Sequence, residues 1–184
     1  PGQLGGLALA DILFGKVSPS GKLPVTFYES ADLLPDFEDY SMKNRTYRYA
    51  ENNVLYPFGF GLTYSKVAVS GLQYIAADRT AWVMLKNIGE CDTDEVVQLY
   101  IKDNESKWAV KNHQLCGFKR VHVKKGESVS VTMTVPEAAF EAVDDAGKRK
   151  VDSRSFTLFA GVSQPDALSR NLAGTECVSV EIQL

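Results

Sequence analysis

Ser128-Val129-Ser130-Val131-Thr132-Met133-Thr134-Val135 alternates a hydroxyl-bearing side chain with an apolar one without a break. Successive side chains of an extended chain point to opposite faces, so this run is a strand with one dry face and one wet face. Its neighbours read the same way. Val67–Ile75, Ala81–Lys86, Val96–Lys102, Leu115–Val123, Ser155–Val162 and Cys177–Leu184 are each short, β-rich and bounded by turn residues. Asn87-Ile88-Gly89, Lys125-Gly126-Glu127 and Asp144-Asp145-Ala146-Gly147 supply the punctuation. Seven such strands with turns between them predict a mainly β protein, an antiparallel sandwich. Pro136–Phe140 reads as a single helical turn bridging its sheets.

Upstream the texture differs. Residues 4–14, LGGLALADILF, carry apolar side chains at helical spacing on most sides, and Gly15 closes the run. A helix of that kind has to be buried. At the start of this chain it has nothing to lie against, so it predicts a partner domain absent from the sequence. Leu23–Tyr28 reads as a short edge strand, since Pro24 cannot donate to a ladder. Residues 30–65 are dense in Tyr and Phe without a steady period. A loop so aromatic is expected to pack on another surface.

The chain has 184 residues, 45% hydrophobic and 23% charged, enough for a packed core. A net charge of −3 does not recommend a nucleic-acid partner, and no apolar run is long enough to span a membrane. The three cysteines, Cys91, Cys116 and Cys177, fit no disulfide framework and incline towards a reducing, cytoplasmic setting.

Chemistry-bearing patterns are sparse. Gly15–Lys22 misses the phosphate-loop spacing and precedes no helix, so it reads as a turn. His113 and Cys116 make half of a metal site with no second pair, so they read as a surface histidine and a buried thiol. Asp36, Glu38 and Asp39 lie among aromatics. Asp92, Asp94 and Glu95, with Asp144 and Asp145, read as solvated turn residues. None forms a recognisable pair for glycoside hydrolysis. The basic run Lys119, Arg120, His122, Lys124, Lys125 splits between two faces of a strand. Asn44-Arg45-Thr46 and Asn104-Glu105-Ser106 match the glycosylation sequon. If the sandwich is itself a binding module, Trp82, Trp108 and Tyr100 are its candidate platform, with core packing the alternative.

Whole phrases carry a resemblance. Pro1–Gly6, Ala8–Gly15, Ser18–Pro24 with Thr26-Phe27, Tyr56–Tyr64, Gln98–Tyr100 and Leu115–Val121 resemble, in order, phrases of the family-3 glycoside hydrolases. The resemblance implies that residues 1–65 are the C-terminal tail of the family's α/β sandwich domain and residues 66–184 its fibronectin type III-like domain. It further implies that the nucleophile aspartate and acid/base glutamate lie upstream of Pro1. No residue here then inherits a catalytic role, no cofactor or metal is called for, and sugar is bound through a missing barrel and α/β domain. Lys43–Tyr49, KNRTYRY, is more similar to xyloside-acting than to glucoside-acting members, although Asn44 stands for a glycine and Ala50 for a phenylalanine.

Overall fold

The structure is a computed structural model describing residues 2–184; Pro1, which opens the first quoted phrase, lies outside the described residues. In chain order the elements are α1 (Gly5–Leu13), β1 (Phe27–Tyr28), α2 (Thr46–Tyr49), β2 (Val54–Tyr56), β3 (Val67–Ile75), β4 (Thr80–Asn87), β5 (Thr93–Asp103) and β6 (Gln114–Val123). They continue with β7 (Ser128–Thr134), β8 (Ala142–Val143), β9 (Arg149–Lys150), β10 (Ser155–Gly161), α3 (Ala167–Ala173) and β11 (Val178–Gln183). The seven strands expected from alternation are β3–β7, β10 and β11, each within a few residues of its expected bounds.

These strands form two sheets, β11-β10-β5-β6 and β3-β4-β7, with every pairing antiparallel. The apolar members of the alternation face inward. Val83, Leu85 and Val131 from one sheet meet Val97, Leu99, Ile101 and Leu158 from the other. The polar members of the quoted strand, Ser128, Ser130, Thr132 and Thr134, are all exposed. A 3₁₀ turn over Glu137–Phe140 follows β7, as expected, and lays Phe140 edge-on to Phe156 of β10 in the other sheet, with centroids 5.1 Å apart.

The β5 strand breaks the alternation. Val97 through Ile101 are all buried, because the sheet is dry on both faces there. Residues 18–64 run over its outer face. The edge strand expected over Leu23–Tyr28 shrinks to the two residues of β1, paired with β2. Leu23 pairs instead with the loop before the sandwich: its N–H donates to the Phe60 carbonyl (2.9 Å) and its carbonyl accepts from Gly59 N (2.8 Å). α1 has no buried residue; Leu4, Leu7, Leu13 and Phe14 are 69, 59, 70 and 82% exposed.

Candidate functional site

The most heavily built polar region is the seam between residues 18–64 and the outer face of β5. Gln98 and Tyr100 point away from the core, where a solvated sheet would carry them in water. Both are buried instead. Gln98 Nε2 donates to the carbonyls of Gly59 (2.9 Å) and Val162 (3.1 Å), and Tyr100 Oη donates to Gln98 Oε1 (2.5 Å). Tyr47, placed by α2, stacks on Phe58 at 4.2 Å and meets Tyr100 edge-on at 6.3 Å. Its hydroxyl accepts from Leu115 N (3.0 Å). Asn112 Nδ2 donates to the carbonyls of Tyr47 (2.9 Å) and Ala50 (2.8 Å), satisfying groups that the short helix leaves free. At the other end Lys22 Nζ lies 2.7 Å from Glu95 Oε1, with the two side chains only 12 and 2% exposed. Beside them the hydroxyls of Ser18, Thr63 and Thr93 close a triangle of 2.8–2.9 Å bonds. Ser65 Oγ donates to Asn87 Oδ1 (2.6 Å), and Asn87 Nδ2 donates to the Cys91 and Val123 carbonyls.

This seam overturns three expectations. Glu95 is not a solvated turn residue but the one wholly buried carboxylate among the described residues. His113 is not on the surface: it is 7% exposed, its ring 5.1 Å from that of Tyr100 and Nε2 3.4 Å from Gln164 Oε1. Tyr100, offered as a platform, is fully buried and cannot meet a ligand. The other platform candidates fare differently. Trp82 is half-buried on the outer face of its sheet, whereas the Trp108 ring lies under the ammonium groups of Lys107 (4.4 Å) and Lys150 (4.0 Å). The Cys116 and Cys177 thiols are pushed up to about 12 by burial, so they are poor nucleophiles near neutrality.

The remaining sequence candidates organise turns. Asp36 Oδ1 accepts from Glu38 N and Asp39 Oδ1 from Ser41 N, each at 2.8 Å, while Arg45 Nη2 donates to the Asp36 and Asp39 carbonyls at 2.7 Å. The bonds from Ser41 hold the Asp39 carboxyl below its ordinary value. Asp94 pairs with Arg120 (2.5 Å) and His122 (2.8 Å), which accounts for part of the basic run. Asp144 Oδ1 accepts from Ala146 N and Lys148 N, shaping the β8–β9 hairpin. Lys22, the last residue of the stretch compared with a phosphate loop, is the partner of Glu95.

Beside the seam a cleft of about 650 Å³ opens between residues 47–57 and the 164–168 segment. It contains Glu29, Glu51 and Asp166. Asp166 commits both oxygens to capping α3, accepting from Ser169 N (2.7 Å) and Ser169 Oγ (2.8 Å), and Glu51 is ion-paired with Lys111. The sequence reading missed α3, although Asp166 before it and Gly174 after it are ordinary start and stop signals.

Burial lowers His113 from 6.5 to about 4, against the opposing pull of its Gln164 contact and of Asp166. The folded chain therefore holds a neutral ring, while the unfolded chain takes up a proton below about 6.5. Stabilisation present above pH 6.5 is lost as pH falls towards 4, by at most about 3 kcal/mol. Urea titrations across this window should show a steeper acid loss for the natural chain than for His113→Gln. Parallel curves would remove His113 as the cause.

Against this geometry the comparisons are direct. A family model for the glycosyl hydrolase family 3 C-terminal domain matches residues 1–64, and one for a fibronectin type III-like domain matches residues 95–164. A xylan 1,4-β-xylosidase of Xylanibacter ruminicola is 37% identical over 90% of this chain and 20% of its own length. A periplasmic β-glucosidase of Salmonella typhimurium is 31% identical over 88% of this chain and 23% of its own. The crystal structure of a β-D-glucoside glucohydrolase from Trichoderma reesei superposes with a TM-score of 0.82 at 27% identity, covering 100% of this chain and 29% of that one. The chain thus spans about a fifth to a quarter of the length of these two curated relatives. Both family models fall on the chain in the order their phrases predict, and the whole fold superposes on such an enzyme: the chain belongs to glycoside hydrolase family 3, carrying sequence of its C-terminal domain and a fibronectin type III-like domain.

Proposed function

We propose that this chain is the structural and interface part of an exo-acting retaining β-glycosidase that hydrolyses β-xylosides, or β-glucosides, in oligosaccharides. The nucleophile aspartate and acid/base glutamate come from other parts of that enzyme, a barrel and an α/β sandwich domain, which also bind the sugar. Residues 1–65 complete the α/β domain and residues 66–184 form the fibronectin type III-like one. The observation that carries this reading is α1, anchored at its C-terminal end by Tyr64 Oη donating to the Ile12 carbonyl (2.8 Å) yet exposing its leucines on every side. Each such side chain gains roughly 1.5–3 kcal/mol on full burial, so the helix is shaped to be covered by more protein. The carboxylates support the same reading. Retaining hydrolysis needs two carboxyl groups about 5–5.5 Å apart on a sugar site, and Glu95, Glu51 and Asp166 are engaged with Lys22, Lys111 and Ser169. The KNRTYRY segment and the first relative's identity favour xylosides.

The test is turnover of aryl β-xylosides and β-glucosides by the 184-residue chain and by the same chain joined to a family-3 barrel and α/β domain. Activity is expected only in the joined protein, with the higher kcat/KM on the xyloside. Turnover by the chain alone overturns the proposal; a preference for the glucoside overturns only its substrate.

A further inference from the structure

We infer that the cleft between residues 47–57 and 164–168 binds one or two units of a neutral oligosaccharide. Its volume, about 650 Å³, lies inside the range of roughly 300–1,000 Å³ typical of small-molecule sites. Its floor is set by buried, hydrogen-bonded side chains, His113 and Gln164, and so does not depend on loose surface residues. Three properties of its walls specify the ligand.

The first is charge. Glu51 and Lys111 neutralise each other, and Asp166 is capped into α3. The lining as a whole holds three carboxylates, Glu29, Glu51 and Asp166, against two ammonium groups, Lys102 and Lys111, a net of one negative charge that repels a polyanion and is too small to select a polycation. The second is unused hydrogen-bonding capacity. Asn53 bonds through its backbone carbonyl to Glu29 N (3.0 Å) and Asn52 through its backbone N–H to Asn44, leaving both side-chain amides available. Amides and an ammonium around one concavity match the mixed donors and acceptors of sugar hydroxyls. The third is apolar wall. Val54, Pro57, Phe159 and Pro165 interrupt the polar lining and can cover the C–H face of a pyranose.

The backbone points the same way. Among the described non-glycine residues with left-handed φ are Thr46 (55°), just before the segment that forms one wall, and Asn53 (59°), within it. Such conformations persist only where the surrounding structure imposes them, and they gather at binding sites.

The choice of pentose oligomers as first probes rests on the xyloside reading above, so a glucose oligomer is carried beside them. In ¹H–¹⁵N titrations of the 184-residue chain, xylobiose or xylotriose is expected to move the amide signals of Asn52, Asn53, Lys102, Asn112 and Gln164 saturably. Asn53→Gly keeps the left-handed backbone while removing the amide, and Lys102→Met keeps the stem while removing the charge. The pair is expected to weaken binding about tenfold, equivalent to roughly 1.4 kcal/mol. Thr132→Ala, on the exposed face of the other sheet, is expected to leave it unchanged. Cellobiose moving these signals when neither xylo-oligosaccharide does would uphold the site and overturn the xyloside reading. The site is overturned if none of the three sugars gives saturable shifts there, or if binding survives both cleft substitutions unaltered.

Discussion

Replacing Glu95 by alanine is expected to destabilise the chain by about 3–5 kcal/mol, because Lys22 would be left in a nearly dry seam without its partner. The same oxygen also accepts from Val96 N at 2.8 Å, so the substitution frees a backbone donor as well. A bare loss of stability would not separate an electrostatic cause from a cavity. The double variant Lys22→Met with Glu95→Leu does so. Removing both charges while keeping the volume commonly restores or raises stability. Urea midpoints for the two proteins should therefore diverge, the single variant falling far below the natural chain and the double one returning close to it. If both fall equally, the ion pair is not what the seam depends on.

Gly59→Ala is the second large effect, about 3 kcal/mol of destabilisation or more. Gly59 has φ +78°, which costs a residue with a Cβ about 1–2 kcal/mol. The added carbon would also stand 2.3 Å from Gln98 Oε1 and 2.5 Å from Tyr100 Oη. Neither side chain can withdraw, since both are buried and bonded to each other. Crowding of that kind costs a further 1–3 kcal/mol or so. Gly126→Ala isolates the conformational part, because Gly126 has a similar φ of +75° with nothing within 4 Å of the added carbon. Calorimetric or urea unfolding should place Gly126→Ala at about a third to a half of the Gly59→Ala loss. Equal losses would mean that the seam yields.

The sandwich was legible because its signal is local. Ser128–Val135 announces a half-wet strand through its own eight side chains, and the observed burial of Val131 and Met133 against exposed Thr132 and Thr134 follows directly. The seam was not legible, because its signals are spread over long sequence separations. Glu95 sits in the polar run Asp92–Glu95, where nothing nearby foretells that Lys22 will cover it. His113 lies between Asn112 and Gln114, and its burial is created by Tyr47 and Gln164. Tyr100 belongs to a strand whose outer face would be solvated in a lone sandwich. Only the aromatic loop, whose need for a surface was readable but whose target was not, makes it core. The short helix α2 escaped for a related reason: Thr46 enters it at φ +55°, which no helix propensity favours. The acids on residues 36–39 were visible as residues, but their use as turn-formers depends on Arg45 reaching two carbonyls at once.

The crossing at residues 63–66 matters for how force travels. Thr63 bonds Ser18 and Thr93, Tyr64 bonds Ser18 and Ile12, Ser65 bonds Asn87, and the Lys66 carbonyl accepts from Ile88 N. Four consecutive residues are thus pinned, with no slack between the helical end and the sheets. A push on α1 would arrive at the sandwich as torque, as through a spanner and not through a rope. Any swinging motion of an enzyme containing this chain would have to pivot somewhere else.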